Sequence, residues 1–190
     1  MSWNLNKWAN EPWAWVDGVF TEVELDRIVT TFLDKKSLPA TVGPNGKNDR
    51  QVRDSSTLFI YEYPENHFIY NKLGDATEYL NTYFKYDLTH FEPPQFTTYK
   101  TGQYYAEHWD MGYEVHHDRK LSLVLQLTNE TEYDGGELIL YNGSHANPVE
   151  MSKKRGRIMA FPSWMLHEVK PITKGKRHSL VAWVCGPRFK

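Results

Sequence analysis

A histidine and an aspartate stand two residues apart at His108-Trp109-Asp110. On a strand, side chains at this spacing point to the same face, roughly 6–7 Å apart along the chain, while Trp109 points to the other face. An imidazole and a carboxylate on one strand, joined by a distant histidine, form a facial triad that holds non-haem Fe(II) and leaves coordination positions open. The pair is therefore a candidate for two ligands of an iron site.

The pair is weak evidence when it is taken alone. With 8 histidines and 24 acidic residues in 190 positions, chance predicts about one such His-x-acid pair. The chain has pairs of this kind at His108/Asp110, His116/Asp118 and His90/Glu92. For any one of them alone, a hydrogen-bonded surface or core histidine is the better interpretation.

The segments around His108 change this balance. Residues 99–107 (YKTGQYYAE) lead into it, and the downstream segments are 133–138 (YDGGEL), 156–169 (GRIMAFPSWMLHEV) and 171–179 (PITKGKRHS). In order and spacing, this set resembles the catalytic core of the Fe(II)/2-oxoglutarate-dependent oxygenases, and within them the prolyl 4-hydroxylase-like branch. The resemblance covers about half of the chain, and it is specific as a composite rather than in any one element.

The resemblance implies that the metal ligands are His108, Asp110 and His167, the last lying 57 residues beyond Asp110. His116 and Asp118 form a rival first pair. That pair lacks the Tyr-x-x-Gly-Gln segment before it, and it falls where the family has a loop beyond the metal-bearing strand. We therefore expect His108 and Asp110 to be the ligands. Zinc is a possible contaminant, since it binds the same donors.

The resemblance also implies the cosubstrates, 2-oxoglutarate and dioxygen, with ascorbate as a stimulant. Arg177 occupies the family's position for binding the far carboxylate of 2-oxoglutarate, for which a buried two-pronged cation is the best partner. Ser179 lies on the same face and can donate a further hydrogen bond. Tyr99 resembles the tyrosine that bonds the cosubstrate, and Gln126 stands where several members carry another tyrosine.

The expected reaction is decarboxylation of 2-oxoglutarate to succinate and carbon dioxide, coupled to hydroxylation of an unactivated C–H bond. Family members that halogenate lack the carboxylate found here at Asp110. Members that demethylate nucleic acid have a second arginine where this chain has Trp183. The resemblance therefore favours C4 of a prolyl residue in a peptide or protein as the target. A free amino acid or other small molecule, or a non-catalytic metal-binding jelly roll, stays open as an alternative.

Four residues are candidates for the substrate pocket. Trp183 continues the face of Arg177 and Ser179, and a core tryptophan is an equally good interpretation of it. The other candidates are Trp164, Arg50 and Arg53. Two loops, residues 43–54 and 111–118, are expected to close over an extended substrate.

The elements that must position these residues differ between the two halves of the chain. A capping box at Thr21/Glu24 and a stripe of Leu25, Ile28, Val29, Phe32 and Leu33 predict one helix. After Pro64, a second stripe of Ile69, Leu73, Ala76, Leu80 and Tyr83 or Phe84 predicts another. Short strands are predicted at 57–63, 96–105, 121–127, 137–141, 157–161, 167–172 and 177–185, with turns such as Asp134-Gly135-Gly136 between them.

Helices followed by many short strands predict a mainly β protein with flanking helices (α+β), a double-stranded β-helix or jelly-roll barrel supported by N-terminal helices. In residues 121–127 the leucines take the odd positions, so Ser122, Val124 and Gln126 share the other face. We expect a single oxygenase domain over 1–190, with helical support and lid loops in 1–93 and the catalytic core in 94–190.

Composition bounds the remaining possibilities. Hydrophobic residues make up 40% and charged residues 24%, which is typical of a globular protein. The net charge of −2 gives no basic field for nucleic acid, and the single cysteine excludes a disulfide framework. No apolar run is long enough to span a membrane, so we expect a cytoplasmic protein. The resemblance implies a peptide or protein partner; the oligomeric state stays open, with a monomer as the expectation.

Overall fold

The structure is a computed structural model that describes residues 11–42, 48–112 and 116–188. Its helices are α1 (Glu22–Leu33) and α2 (His67–Phe84), and its strands are β1 (Ala14–Val16), β2 (Leu38–Pro39), β3 (Arg53–Asp54), β4 (Ser56–Phe59), β5 (His90–Phe91), β6 (Gln95–Lys100), β7 (Tyr104–His108), β8 (Arg119–Gln126), β9 (Tyr133–Gly135), β10 (Leu138–Tyr141), β11 (Pro148–Glu150), β12 (Ile158–Pro162), β13 (Leu166–Val169) and β14 (Ile172–Cys185).

The strands form two antiparallel sheets. The larger sheet has the order β1-β12-β8-β14-β6-β4-β2, with β5 and β9 also paired to β14, and the smaller has the order β11-β10-β13-β7-β3. The two sheets stay separate instead of closing into one hydrogen-bonded barrel. Both helices pack on one side of the larger sheet, and the other side of that sheet faces the smaller one.

Helix α1 forms as its sequence predicts. Thr21 accepts a hydrogen bond from the Glu24 amide, and the Glu24 carboxylate accepts one from the Thr21 amide, which completes the capping box. Leu25, Ile28 and Phe32 are buried against the larger sheet. Leu33 is 47% exposed and does not belong to the buried stripe, because it is the last helical residue and lies at the edge of the apolar face.

Helix α2 begins three residues after Pro64 and buries Ile69, Leu73, Ala76 and Leu80, as expected. Of the two candidates for the end of the stripe, Phe84 packs against the core and Tyr83 is 41% exposed. The helix ends at Lys85, which adopts the left-handed conformation with φ 56°. Neither helix in the described part of the chain combines the length and the apolar run needed to span a bilayer.

Strand β8 shows the predicted alternation and divides two cores. Leu121, Leu123, Leu125 and Leu127 point to the helices, where they are almost fully buried. Val124 points the other way, into a cluster between the two sheets that also contains Phe161 and Leu140. The period of two therefore decides which side chains of this strand meet the space between the sheets.

Two predicted strands are each two strands in the structure. The predicted strand 96–105 breaks at Gly102, where a φ of 84° turns the chain from β6 in the larger sheet to β7 in the smaller. The predicted strand 167–172 breaks near Pro171, which cannot donate a ladder hydrogen bond, and the chain passes from β13 back to β14. Local propensity cannot report that a chain changes sheets, which explains both errors.

Several shorter predictions also need correction. The predicted strand 57–63 ends at Phe59 in the structure. Residues 134–136, expected to be a simple turn, include the end of β9, which pairs with β14. Residues 43–47 and 113–115, which fall within the two expected lid loops, lie outside the described residues.

Candidate active site

Three side chains with metal-binding donors meet between the two sheets. Nε2 of His108 lies 3.7 Å from one carboxylate oxygen of Asp110, and Nε2 of His167 lies 3.5 Å from the other. The candidate ligand atoms of the three residues all lie within 4.8 Å of one another. Two imidazole nitrogens and one carboxylate oxygen around a common point are the donor set of a facial triad.

The smaller sheet positions the two histidines. His108 ends β7, His167 lies on β13, and the two are direct cross-strand partners, so their side chains leave the same face of the sheet. The sequence pattern predicted that Asp110 lies on the same strand as His108. In the structure the strand ends at His108, and Asp110 lies just beyond it. The Asp110 amide donates to the Ser163 carbonyl at 3.0 Å, and this bond places the carboxylate beside the imidazoles.

Backbone carbonyls select the tautomer of both imidazoles. Nδ1 of His108 lies 2.8 Å from the carbonyl of Ala106, and Nδ1 of His167 lies 2.8 Å from the carbonyl of Met165. A carbonyl only accepts, so each Nδ1 carries a proton, and in the neutral form of each ring the lone pair is on Nε2, which faces Asp110. Both histidines therefore have the tautomer that a metal ligand needs.

The electrostatics of the cluster keep these donors in their binding forms. Burial lowers the pKa of His108 to about 3, and the neighbouring His167 acts in the same direction. Burial alone would raise the pKa of Asp110, but His167, His108 and a hydrogen bond from Ser122 lower it to about 2. A neutral imidazole and an ionised carboxylate thus stand together at neutral pH.

Ser122 is a supporting residue that the sequence analysis assigned to a face but not to a role. Its hydroxyl donates to Asp110 Oδ2 at 2.6 Å and lies 3.0 Å from the hydroxyl of Ser163. Both serines are fully buried. The even position of Ser122 on β8 is the sequence signal that could have placed this residue beside the triad.

The triad lies in the wall of a cavity of about 400 Å³. The same cavity is lined by the face of β14 that the sequence analysis predicted, namely Arg177, Ser179, Val181 and Trp183, and by Tyr99 of β6. A cavity of this volume is in the usual range for small-molecule sites.

Arg177 is the buried cation of this cavity. It is 1% exposed, and its Nη1 donates to the Ser179 hydroxyl at 3.3 Å. Its Nε and Nη2 are buried without a hydrogen-bond partner in the described part of the chain. Because a buried guanidinium without partners is costly, two donors directed into a cavity indicate a site for an anion, of which a carboxylate fits the fork best.

Gly136 makes room for this arginine. A Cβ at Gly136 would lie 3.2 Å from Cδ of Arg177 and 2.3 Å from Cδ1 of Ile172, and its φ is 66°. Only glycine combines this backbone conformation with so close an approach. The glycine pair of residues 135–136 therefore serves the packing of the site as well as the turn.

A second group of cavity residues was missed at the sequence level. Arg119 donates from Nε to Glu92 at 2.6 Å and from Nη1 to the Asp110 carbonyl at 3.2 Å, with its Nη2 also bonded to Glu92. Its guanidinium lies 3.8 Å from the centroid of the Trp183 ring. In the sequence, Glu92 stood out only as part of the pair His90/Glu92. Arg119 is a charged residue at the start of a strand, and that position does not predict a hydrogen-bond network.

The remaining predicted residues divide between two environments. Arg53 lines the cavity, is 7% exposed and lies 4.5 Å from the Tyr105 ring, which itself stacks on His108. Gln126, Trp164 and Arg50 are not among the described residues that line the cavity. Gln126 is buried opposite Ser179, whereas Trp164 is 47% exposed and the Arg50 side chain is exposed beside Asp54.

The rival pair is not assembled into the triad. His116 lines the cavity at an exposed position, with its Nδ1 3.3 Å from Glu92. Asp118 belongs to a different group of side chains, with His90 and Cys185. Among the described residues, His108, Asp110 and His167 therefore form the candidate metal-binding cluster of this cavity.

Comparison with known proteins agrees with this site. Residues 94–185 match the family model described as the 2OG-Fe(II) oxygenase superfamily. A PKHD-type hydroxylase of Psychrobacter sp. (strain PRwf-1) is 37% identical over 98 residues, which are 48% of this chain and 37% of that protein. A PKHD-type hydroxylase of Teredinibacter turnerae is 28% identical over 80% of this chain and 66% of its own length. The chain thus spans less than two thirds of these curated relatives.

Solved structures confirm the fold. A prolyl-4-hydroxylase of Pseudomonas putida superposes with a TM-score of 0.75 at 20% identity, covering 94% of this chain and 95% of its own. A prolyl hydroxylase of Trichoplax adhaerens, solved with a hypoxia inducible factor oxygen degradation domain peptide fragment, gives a TM-score of 0.76 at 16% identity over 92% of this chain and 83% of its own. The predicted double-stranded β-helix fold is confirmed.

Proposed function

We propose that this chain is an Fe(II)- and 2-oxoglutarate-dependent dioxygenase that hydroxylates an unactivated C–H bond. The observation that carries the proposal is the presence of the His108–Asp110–His167 cluster and the unpartnered donors of Arg177 in one cavity. A metal-binding module with no anionic cosubstrate has no use for a buried guanidinium at that place. The match of residues 94–185 to the 2OG-Fe(II) oxygenase family model supports the same conclusion.

The donors fit Fe(II). His108, His167 and Asp110 would hold the ion through two neutral imidazoles and one carboxylate, with no thiolate among them, and would leave three octahedral positions open. When bound, the iron and dioxygen would supply the oxidation: one oxygen atom enters 2-oxoglutarate, which loses carbon dioxide and becomes succinate, and the other becomes the hydroxyl group of the product. The protein itself binds and orients the cosubstrate and the substrate, and it excludes water from the site.

Arg177 would bind the far carboxylate of 2-oxoglutarate through Nε and Nη2, the two donors without a partner. Ser179 is already within reach of Nη1 and would complete the carboxylate site. Tyr99 lies beside it, with the guanidinium carbon 5.6 Å from its ring centroid, and would contribute its hydroxyl. A buried charge-assisted fork fixes the cosubstrate by direction as well as by charge.

The proposed substrate is a prolyl residue of a peptide or protein, hydroxylated at C4. The cavity has an indole wall at Trp183 and a 63% exposed Trp109 among its lining residues, and aromatic faces suit a pyrrolidine ring. Arg53, the buried cation beside Tyr105, would contact the peptide backbone. The structural neighbour solved with a peptide fragment supports this substrate class.

The proposal is tested by anaerobic titration with Fe(II) and 2-oxoglutarate, followed by succinate release with prolyl peptides and, in parallel, free proline and other amino acids. We expect His108→Ala and Asp110→Ala to reduce succinate formation below detection without unfolding the protein. His116→Ala is the matched control, and it retains turnover. Turnover in His108→Ala together with its loss in His116→Ala would overturn the ligand assignment.

The product distinguishes the substrate classes. Hydroxyproline in a peptide, found by mass spectrometry as the gain of one oxygen, supports the prolyl proposal. Turnover of free amino acids alone contradicts it while leaving the oxygenase proposal intact. Ascorbate stimulation, a cytoplasmic location, a monomeric state and a single domain over 1–190 stay predictions.

A further inference from the structure

A second cluster of metal-binding donors lies outside the cavity. Cys185, His90 and Asp118 offer ligand atoms that all lie within 4.8 Å of one another. None of the three is among the described residues that line the cavity of the triad. The cluster therefore shares neither residues nor space with the proposed active site, and the inference drawn from it does not depend on the proposed function.

Backbone pairing holds these three residues together. His90 of β5 and Cys185 of β14 are direct antiparallel partners, so their side chains leave the same face. Asp118 immediately precedes β8, and its carbonyl accepts from the Gly186 amide at 2.9 Å. Gly186 also lets the backbone of Asp87 come close, since a Cβ there would lie 1.9 Å from the Asp87 carbonyl oxygen.

The side chains are graded from the interior to the surface. Cys185 is fully buried, Asp118 is half-buried and His90 is exposed. The Thr89 hydroxyl donates to the Cys185 carbonyl at 3.3 Å and lies 2.9 Å from Nδ1 of His90. When Nδ1–H donates to that hydroxyl, Nε2 keeps the lone pair that a metal ligand needs.

Both acidic and basic side chains surround the cluster of Cys185, His90 and Asp118. The Cys185 sulfur lies 4.0 Å from the carboxylate of Glu92, which is itself bonded to Arg119. Lys120 interacts electrostatically with Asp118 and Cys185. Burial and the charges of Asp118 and Glu92 raise the pKa of the Cys185 thiol to about 12.

We propose that Cys185, His90 and Asp118 form a second metal site, for a divalent cation of the Zn²⁺ class, with water as the fourth ligand. A thiolate, an imidazole and a carboxylate suit the tetrahedral preference of zinc, whereas Mg²⁺ and Ca²⁺ prefer oxygen ligands alone. Such an ion would fasten the ends of β5 and β14 to the start of β8. It would also hold Asp118 next to Arg119, which forms part of the cavity wall.

Cobalt titration of the full chain tests the site, because a thiolate-to-cobalt charge-transfer band in the near ultraviolet requires a sulfur ligand. Cys185 is the single cysteine of the sequence, so the band reports this site and never the triad. We expect the band in the wild type and in the double variant His108→Ala/His167→Ala. In the double variant the stoichiometry falls from about two ions per chain to about one.

Substitutions at the cluster complete the test. Cys185→Ser removes the band, and His90→Gln and Asp118→Asn, which replace less buried side chains, weaken cobalt binding about 10- to 100-fold. Zinc raises the melting temperature of the double variant, and adding Asp118→Asn to that variant makes the shift smaller at the same zinc concentration. Absence of the band in the wild type, or a band and an affinity that neither His90→Gln nor Asp118→Asn alters, would overturn the proposal.

Discussion

The two faces of the larger sheet differ in whether the chain itself supplies contacts for all the buried groups. On one face, Leu123 and Leu125 of β8 and Leu180 of β14 pack against α1 and α2 in a continuous apolar core. On the other face, Ser122 of the same strand bonds Asp110, and Arg177 of β14 keeps buried donors without partners. Both faces are equally inaccessible to solvent, so burial does not distinguish them.

The difference is one of chemistry. Apolar side chains are satisfied by contact alone, so the helix-covered face needs nothing beyond the chain itself. Buried polar groups need partners of defined geometry, and the cavity face supplies some of these and leaves others for a ligand. The first face therefore serves stability, and the second serves binding at a cost in stability.

The largest effect that sharpens this comparison is expected at Arg177. Arg177→Met removes the partner of the cosubstrate carboxylate and costs about 2–5 kcal/mol of binding, or roughly 30- to 5,000-fold in affinity for 2-oxoglutarate. The melting temperature of the ligand-free protein stays the same or rises, because an unpaired buried charge is removed. Calorimetric titration and thermal unfolding measure the two quantities.

Arg177→Lys is the matched control, since it keeps the charge and loses the fork; its affinity falls between those of wild type and Arg177→Met. An unchanged affinity in Arg177→Met would contradict the assignment of the cavity face to anion binding.

The opposite result is expected on the helix-covered face. Leu123→Ala leaves a cavity in a close-packed core and lowers the free energy of unfolding by about 2–5 kcal/mol. Affinity for 2-oxoglutarate, measured below the melting temperature, stays at the wild-type value. Loss of affinity in the folded variant would show that the two faces are coupled. Denaturant unfolding gives the energy, and calorimetry gives the affinity.

A smaller effect is expected from Ser122→Ala. The loss of the hydroxyl that bonds Asp110 leaves the carboxylate less firmly oriented and weakens Fe(II) binding about 10- to 100-fold. Ser163→Ala is the control, since its hydroxyl contacts Ser122 rather than the carboxylate, and its effect is smaller. Equal effects of the two changes would contradict the role assigned to Ser122. Anaerobic metal titration gives both values.

The smallest effect is expected outside both faces, at Asp17. Hydrogen bonds from Arg157 and Lys154 hold the pKa of this exposed carboxyl below its ordinary value, against the effect of burial. A lowered pKa stabilises the fold above the unfolded value near 4, and this contribution is lost as the pH falls below it. Asp17→Asn should therefore cost about 0.5 kcal/mol near pH 7, after solvent screening, and progressively less in acid.

Urea unfolding at a series of pH values measures this difference. Glu78→Gln, the same change of charge on the exposed face of α2, is the control. A difference between wild type and Asp17→Asn that grows as the pH falls would have the wrong sign.

Local patterns predicted much of this architecture. The capping box at Thr21, the stripe of α2 and the alternation of 121–127 each depend on neighbours within a few residues, and all three are confirmed. The composite of motifs resembled the oxygenases whose family model matches residues 94–185. What local patterns could not give are the sheet changes at Gly102 and Pro171, because the partners of a strand lie far away in the chain.

The sequence by itself determined the chemical types available, the alternation that sends Ser122 and Arg177 to one face, and the match of residues 94–185 to the oxygenase family model. Tertiary structure decided which histidine stands beside Asp110, since the cross-strand pairing of β7 with β13 brings His167 there and leaves His116 facing Glu92. It also decided that Arg119, Glu92 and Trp183 form one network, and that Gln126 and Trp164 lie outside the cavity lining. The physical reason is that side-chain type and period act locally, whereas a binding site is made of distances between strands that are far apart in sequence.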